Sequence, residues 1–179
     1  MKEMNLVAIQ PRSFKPRTTQ SRHSLGYNSN LLIEARKPTA INRIWVADIT
    51  YIPLKNSCFA YLALIVDLYS RRIVGWDLQE HMKESLALNA LKKALGSRRP
   101  EPGLIHHSDR GGQYAGKQYR AILGRAGIEQ SMSRAADCYD NAVMESCFGT
   151  IKTELEMSPY DDLTDATRRI KEYIGYYNT

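Results

Sequence analysis

The chain has 179 residues, 43% of them hydrophobic, and its 25 Lys and Arg outweigh 19 Asp and Glu for a formal charge of +6. That length suits one domain with its own core, and the composition excludes disorder throughout. No run of about 18 apolar residues exists to span a membrane, and three unevenly spaced cysteines (Cys58, Cys138, Cys147) exclude a disulfide framework.

The charge is concentrated at the start of the chain. Residues 1–43 hold eight basic groups (Lys2, Arg12, Lys15, Arg17, Arg22, Arg36, Lys37, Arg43) against Glu3 and Glu34, which accounts for the whole excess. This stretch is rich in Ser, Thr, Asn and Pro, lacks periodicity and reads as an extended arm or linker. A basic arm on a balanced globule points to a polyanionic partner such as nucleic acid, with a solvated tail as the alternative. No basic-then-apolar leader opens the sequence, so export is not indicated, and the cysteine usage fits a reducing cytosol. No Cys-x-x-Cys pair suggests structural zinc.

From Ile44 the texture changes. Ile44 to Leu54 is β-branched and aromatic with both alternating sets largely apolar, as in a strand buried on both faces. After a turn at Lys55, Asn56 and Ser57, Phe59 to Asp67 makes a second strand, and Arg72 to Asp77 a third. The short connections imply an antiparallel meander. The period then switches: Leu88, Leu91 and Leu95 with Ala87 and Ala94 mark a helical face that Gly96 is expected to end. Leu104 to His107 reads as a short strand leading into Asp109, Arg110, Gly111 and Gly112. Tyr119, Ile122, Leu123 and Ala126 mark a second helix ending near Gly127, and Ile128 to Met132 a fifth strand. A long helix is expected from Asp140 or Asn141 to about Met157, followed by one with Ile170, Tyr173, Ile174 and Tyr177 on one face. The order β-β-β-α-β-α-β-α-α gives an α/β fold, a mixed sheet flanked by helices.

Three acids stand out within this frame. Asp48 interrupts an apolar strand, where a carboxylate is costly unless it pairs, accepts backbone hydrogen bonds or holds a metal. Asp109 follows a short strand and precedes two glycines, a setting that suits phosphate approach and equally an ordinary Asp turn. Glu145 lies on the long helix. With Val143 at 0° and about 100° per residue, Cys147, Ile151 and Leu155 fall at roughly 40–120° and form the buried stripe. Glu145, Lys152 and Asn141 fall near 200°, 180° and 160°, one ridge beyond that stripe, for which a solvated Glu-Lys face is the alternative. Taken together, the acids offer hard oxygen ligands for Mg²⁺ or Mn²⁺, and two such ions serve phosphoryl transfer, with Lys152 available to a substrate phosphate. His106, His107, Ser108 and Asp109 supply triad residue types, but adjacent residues do not generally form a triad.

These residues also carry a family resemblance. WVADITY at Trp45–Tyr51, YLALIVDLYSRRIVGW at Tyr61–Trp76, HHSDRGGQY at His106–Tyr114, SMSR at Ser131–Arg134, and Asp140, Asn141, Ala142, Glu145 and Ser146 resemble the catalytic core of insertion-sequence-three family transposases, relatives of retroviral integrases. Thirty-five residues separate Asp109 from Glu145, as in that family, and Lys152 matches its basic residue seven after the Glu. Thr18 to His23 and Asn30 to Leu32 are similar to the segment ahead of the family's core. The likeness spans roughly residues 17–178.

The resemblance implies an RNase H-like fold with a five-stranded sheet, and two divalent ions held by Asp48, Asp109 and Glu145. It implies cleavage at the ends of a mobile DNA element and strand transfer to target DNA by a homo-oligomer in a synaptic complex. Arg110, Arg134, Asn141 and Lys152 are the expected DNA contacts. Asp67 is expected to support the sheet end, and the His and aromatic residues around Asp109 to shape the site or touch DNA. A bacterial, cytoplasmic, nucleoid-associated location and a helix-turn-helix partner or upstream domain are implied too. The sequence divides into an arm (1–43) and a core (44–179). Because family members continue beyond the equivalent of Tyr176, Tyr177 and Asn178, C-terminal truncation is expected. A nuclease that only cleaves, and a non-catalytic DNA-binding remnant, are the competing readings.

Overall fold

The computed structural model describes residues 25–33, 35, 37–55, 58–133, 142–155 and 159–179. Its strands are β1 (Ile44–Pro53), β2 (Phe59–Asp67), β3 (Ile73–Gln79), β4 (Ile105–Ser108) and β5 (Glu129–Met132). Its helices are α1 (Glu84–Arg98), α2 (Gly112–Ala115), α3 (Lys117–Arg125), α4 (Ala142–Glu154) and α5 (Leu163–Tyr177). The sheet order is β3-β2-β1-β4-β5. The expected meander is present, with β1 antiparallel to β2 and β2 antiparallel to β3, while β4 and β5 are parallel additions on the other side of β1.

β1 shows why both of its alternating sets had to be apolar. Val46 and Ile52 face a core shared with Met144, Phe148, Ile151 and Ile170 of α4 and α5. Trp45, Ala47 and Ile49 face a second core shared with Leu86 and Leu91 of α1 and Tyr119 and Leu123 of α3. A strand between two helical layers has no solvent face to give to polar residues. Trp45 is completely buried, and a side chain of that class contributes about 1.5–3 kcal/mol through burial.

Two details depart from the sequence reading. Helix α1 runs through Gly96 to Arg98, and Arg99, not a glycine, adopts the left-handed conformation at φ 44° and donates its N–H to Leu95 O. Ser97 Oγ donates to Val74 O and tethers the last turn of α1 to β3, so the turn is held by the sheet. The loop after Asp109 also contains the four-residue helix α2, too short to generate periodicity.

Candidate active site

The parallel pairing of β1 with β4 sets the site's frame. Its register runs Val46 with His107 and Ala47 with Ser108, so the next residues are Asp48 within β1 and Asp109 just past the end of β4. Alternation along β1 turns Asp48 to the face of Val46 and Ile52, the side that α4 covers. Both carboxylates are half-buried. Asp48 Oδ1 accepts the Ile49 N–H at 2.7 Å, and Asp109 Oδ1 accepts the Gly111 N–H at 2.9 Å. Asp109 thus does close a turn, one of its two expected roles.

Gly111 at that turn lets the Asp109 and Gln113 side chains come close. Its backbone, at φ −61° and ψ 140°, suits any residue. A Cβ there would stand 2.9 Å from Asp109 Oδ1 and 2.9 Å from Gln113 Oε1. Tyr114 is buried beneath this loop, and among the described residues its hydroxyl has no hydrogen-bond partner. Burial pushes the Tyr114 phenol well above its ordinary pKa, and the charge of Asp48, then Tyr119 and Asp109, pushes the same way. One buried hydroxyl therefore feels both carboxylates.

Glu145 is exposed in the first turn of α4, whose buried residues are Met144, Cys147, Phe148 and Ile151. The helical-wheel assignment of Glu145 and Lys152 to a ridge beyond the apolar stripe agrees with this burial. Lys152 Nζ lies 4.6 Å from the centre of the Tyr51 ring, a cation–π contact, and Tyr51 meets Phe59 edge-on with centroids 5.5 Å apart. Arg110 Nε donates to Ser133 O at 2.8 Å, and its guanidinium lies 4.9 Å from the Tyr27 ring centre. Asn141 and Arg134 lie outside the described residues. Among the described residues, no three His, Cys, Asp or Glu side chains are gathered closely enough to hold a metal ion. The sequence reading missed Tyr27 and Tyr51, which no spacing rule connects to Arg110 and Lys152.

Asp67, completely buried, accepts hydrogen bonds from Asn42 N at 2.6 Å, Ser70 N at 2.8 Å and Ser70 Oγ at 2.9 Å. These bonds fasten the end of β2 to the loop ahead of β1.

The integrase core domain family matches residues 38–138, and a second family of the same description matches residues 126–179. The chain belongs to the integrase core domain family. Within it, the likeness is to insertion-sequence-three transposases. The chain is 45% identical over 179 residues to the insertion element IS600 uncharacterized 31 kDa protein of Shigella sonnei, covering 99% of this chain and 65% of the relative. It is 42% identical to the transposase for insertion sequence element IS904 of Lactococcus lactis, covering 84% and 60%. It is 38% identical to transposase InsF for insertion sequence IS3A of Escherichia coli, covering 86% and 53%. The chain therefore spans between about half and two thirds of the length of these relatives.

Solved structures carry the same fold. A simian T-cell lymphotropic virus intasome chain matches with a TM-score of 0.60 at 22% identity, over 76% of this chain and 46% of that one. The HTLV-2 integrase catalytic core domain in complex with magnesium matches with a TM-score of 0.54 at 18% identity, over 64% and 70%. The integrase core here is RNase H-like, as expected. No helix among its described residues is long and apolar enough to cross a membrane.

His106 and His107 of this integrase core meet different partners. His107 Nδ1 meets Ser131 Oγ at 2.8 Å, and His106 Nε2 meets Tyr119 Oη at 2.9 Å. His106 is completely buried, and burial, followed by the charge of His107, lowers its pKa to about 3. The unfolded chain titrates near 6.5 and so binds the extra proton first. The stability contributed by keeping His106 neutral is complete above pH 6.5 and is lost as pH falls toward 3, at up to about 1.4 kcal/mol per pH unit. Urea unfolding at pH 7 and pH 5 is expected to show this loss. His106→Gln should have the shallower pH slope, and equal slopes would show that His106 does not titrate in this way.

Proposed function

We propose that the chain is the catalytic core of an insertion-sequence-three transposase, which cleaves DNA at the element's ends and joins those ends to target DNA. The observation that carries this reading is the register of β1 and β4 in an integrase core, because it brings Asp48 of β1 beside Asp109 at the end of β4. Asp48, Asp109 and Glu145 are the catalytic acids and the ligands of two Mg²⁺ or Mn²⁺ ions. The donor set supports this: carboxylate oxygens are the hard ligands such ions take, and Gly111 leaves Asp109 uncrowded by any Cβ. When bound, the ions supply charge stabilisation to the attacking and leaving oxygens of an in-line displacement.

The chain's own residues do the rest. Lys152, steadied on Tyr51, binds a phosphate of the element end. Arg110, held by Ser133 O, contacts DNA beside Asp109, and Arg134 and Asn141 extend that contact. Glu145, at the exposed start of α4, is the third acid of this set and would hold the ions together with the two aspartates. The active form is a homo-oligomer that bridges two element ends. It works on the bacterial nucleoid in the cytoplasm, with end recognition by a helix-turn-helix unit upstream or on a separate protein.

The test uses DNA carrying the terminal inverted repeats of the encoding element, with Mg²⁺, and separates cleaved from joined products. Joined products are expected. Cleavage of any nucleic acid without joining would favour a plain nuclease. Salt-sensitive binding without metal-dependent cleavage would favour a DNA-binding remnant.

A further inference from the structure

The described part of the arm lies against the core. Between Gly26 and Leu31 it runs along the outer side of β5, the last strand of the sheet. Met132 N donates to Ser29 O at 3.2 Å, and Leu31 N donates to Ser131 Oγ at 2.9 Å. Asn28 Nδ2 donates to Gln130 O at 3.2 Å, and Arg120 Nη2 donates to Gly26 O at 2.7 Å. Two of these contacts continue inward. Ser131 Oγ also meets His107, two residues before Asp109. Gln130 Nε2 donates to the carbonyl of Tyr114, whose phenol feels both aspartates.

Tyr27 is the arm residue that reaches the site. Its ring lies against the Arg110 guanidinium at 4.9 Å while Ser133 O accepts from Arg110 Nε. An arginine is rich in rotamers, and an aromatic face combined with one fixed hydrogen bond removes much of that freedom before a phosphate arrives. Guanidinium is suited to this arrangement, because its planar face stacks while its edge presents N–H donors.

We propose that Tyr27 is a positioning residue for Arg110, so that the docked arm forms part of the DNA-binding surface beside Asp109. This rests on the reading of Arg110 as a phosphate contact. Tyr27 acts through its ring and Arg110 alone touches the DNA. The docking thereby couples residues 26–31 to the acids' surroundings without supplying a ligand to them.

The test measures the affinity of the full chain for element-end DNA across a salt series, with Tyr27→Leu, Tyr27→Phe, Tyr27→Trp and Arg110→Gln. Arg110→Gln is expected to reduce the slope of log affinity against log salt by about 1. Tyr27→Leu is expected to weaken binding roughly threefold to tenfold and to add nothing in the Arg110→Gln background. Tyr27→Phe and Tyr27→Trp keep the ring and should bind as the parent does. Hydrogen exchange at the Leu31 and Met132 amides reports whether the arm stays docked. If Arg110→Gln leaves the slope unchanged, the reading of Arg110 as a phosphate contact fails, and the proposal with it. If Arg110→Gln weakens binding but Tyr27→Leu does not, or the two losses simply add, Arg110 remains a contact and the role of Tyr27 is overturned. If Tyr27→Phe is as weak as Tyr27→Leu, the ring is not what positions Arg110, and the proposal is likewise overturned.

Discussion

Asp48→Asn is expected to reduce metal-dependent strand transfer by about a thousandfold or more while leaving the fold intact. The amide keeps the shape of the carboxylate and can still accept the Ile49 N–H through its oxygen. It loses only the negative charge and with it a hard anionic ligand, the property the proposed phosphoryl transfer needs at this position. The change is isosteric at a half-buried position, so the variant is expected to fold with a cooperative melt. Joined and cleaved products measured in Mg²⁺, beside a circular dichroism melt, decide the matter. Activity within tenfold of the parent in a folded variant would remove Asp48 from the mechanism, and the metal reading would go with it.

Gly75→Ala should act in the opposite way, on the fold and not on the chemistry. Gly75 is on β3 where α1 presses closest to the sheet. An added Cβ would run into the Ala90 carbonyl oxygen, and would stand 2.7 Å from Ala94 Cβ and 2.9 Å from Ala94 N. The obstacles are backbone and the first atom of a side chain, neither of which can swing aside. Helix α1 must shift bodily, against a sheet to which Leu86, Ala90, Leu91 and Ala94 are packed with almost no exposure. Overpacking of this kind costs about 3 kcal/mol. Chemical denaturation should show a lower midpoint. A variant as stable as the parent would mean that α1 can lift from β3 without penalty.

The same contact shows what the sequence could and could not disclose. The strands and long helices were legible because their apolar periods are strong and each has a distinct partner layer. The aspartates were legible because an acid within WVADITY or before two glycines contradicts its surroundings. Glu145 and Lys152 were legible through helical angle. Gly75 was not marked as a close approach, since a glycine in a strand looks alike whether a helix or solvent lies above it. Tyr51 under Lys152 and Tyr27 against Arg110 were hidden because the partners are about 100 and 80 residues apart, and no local period joins them. Arg99 ends α1 where Gly96 was expected to, because the tether from Ser97 to Val74 outweighs glycine's preference for a helix end.

Asn178 is another pairing across the whole chain. Its side chain imitates a strand residue, accepting the Ile73 N–H at 2.9 Å and donating to Ile73 O at 2.9 Å. The end of α5 is thereby fixed at the rim formed by β3, whereas residues 26–31 are fixed at the rim formed by β5. Four inter-strand steps separate those rims, roughly 19 Å. Residues 26–31 and Asn178 are thus held at opposite edges of the sheet, a spacing of roughly six base pairs of B-form DNA. The sheet's width sets the distance between these two attachments, with Asp48 on the central strand two steps from either edge and Asp109, just past β4, one step from the β5 edge.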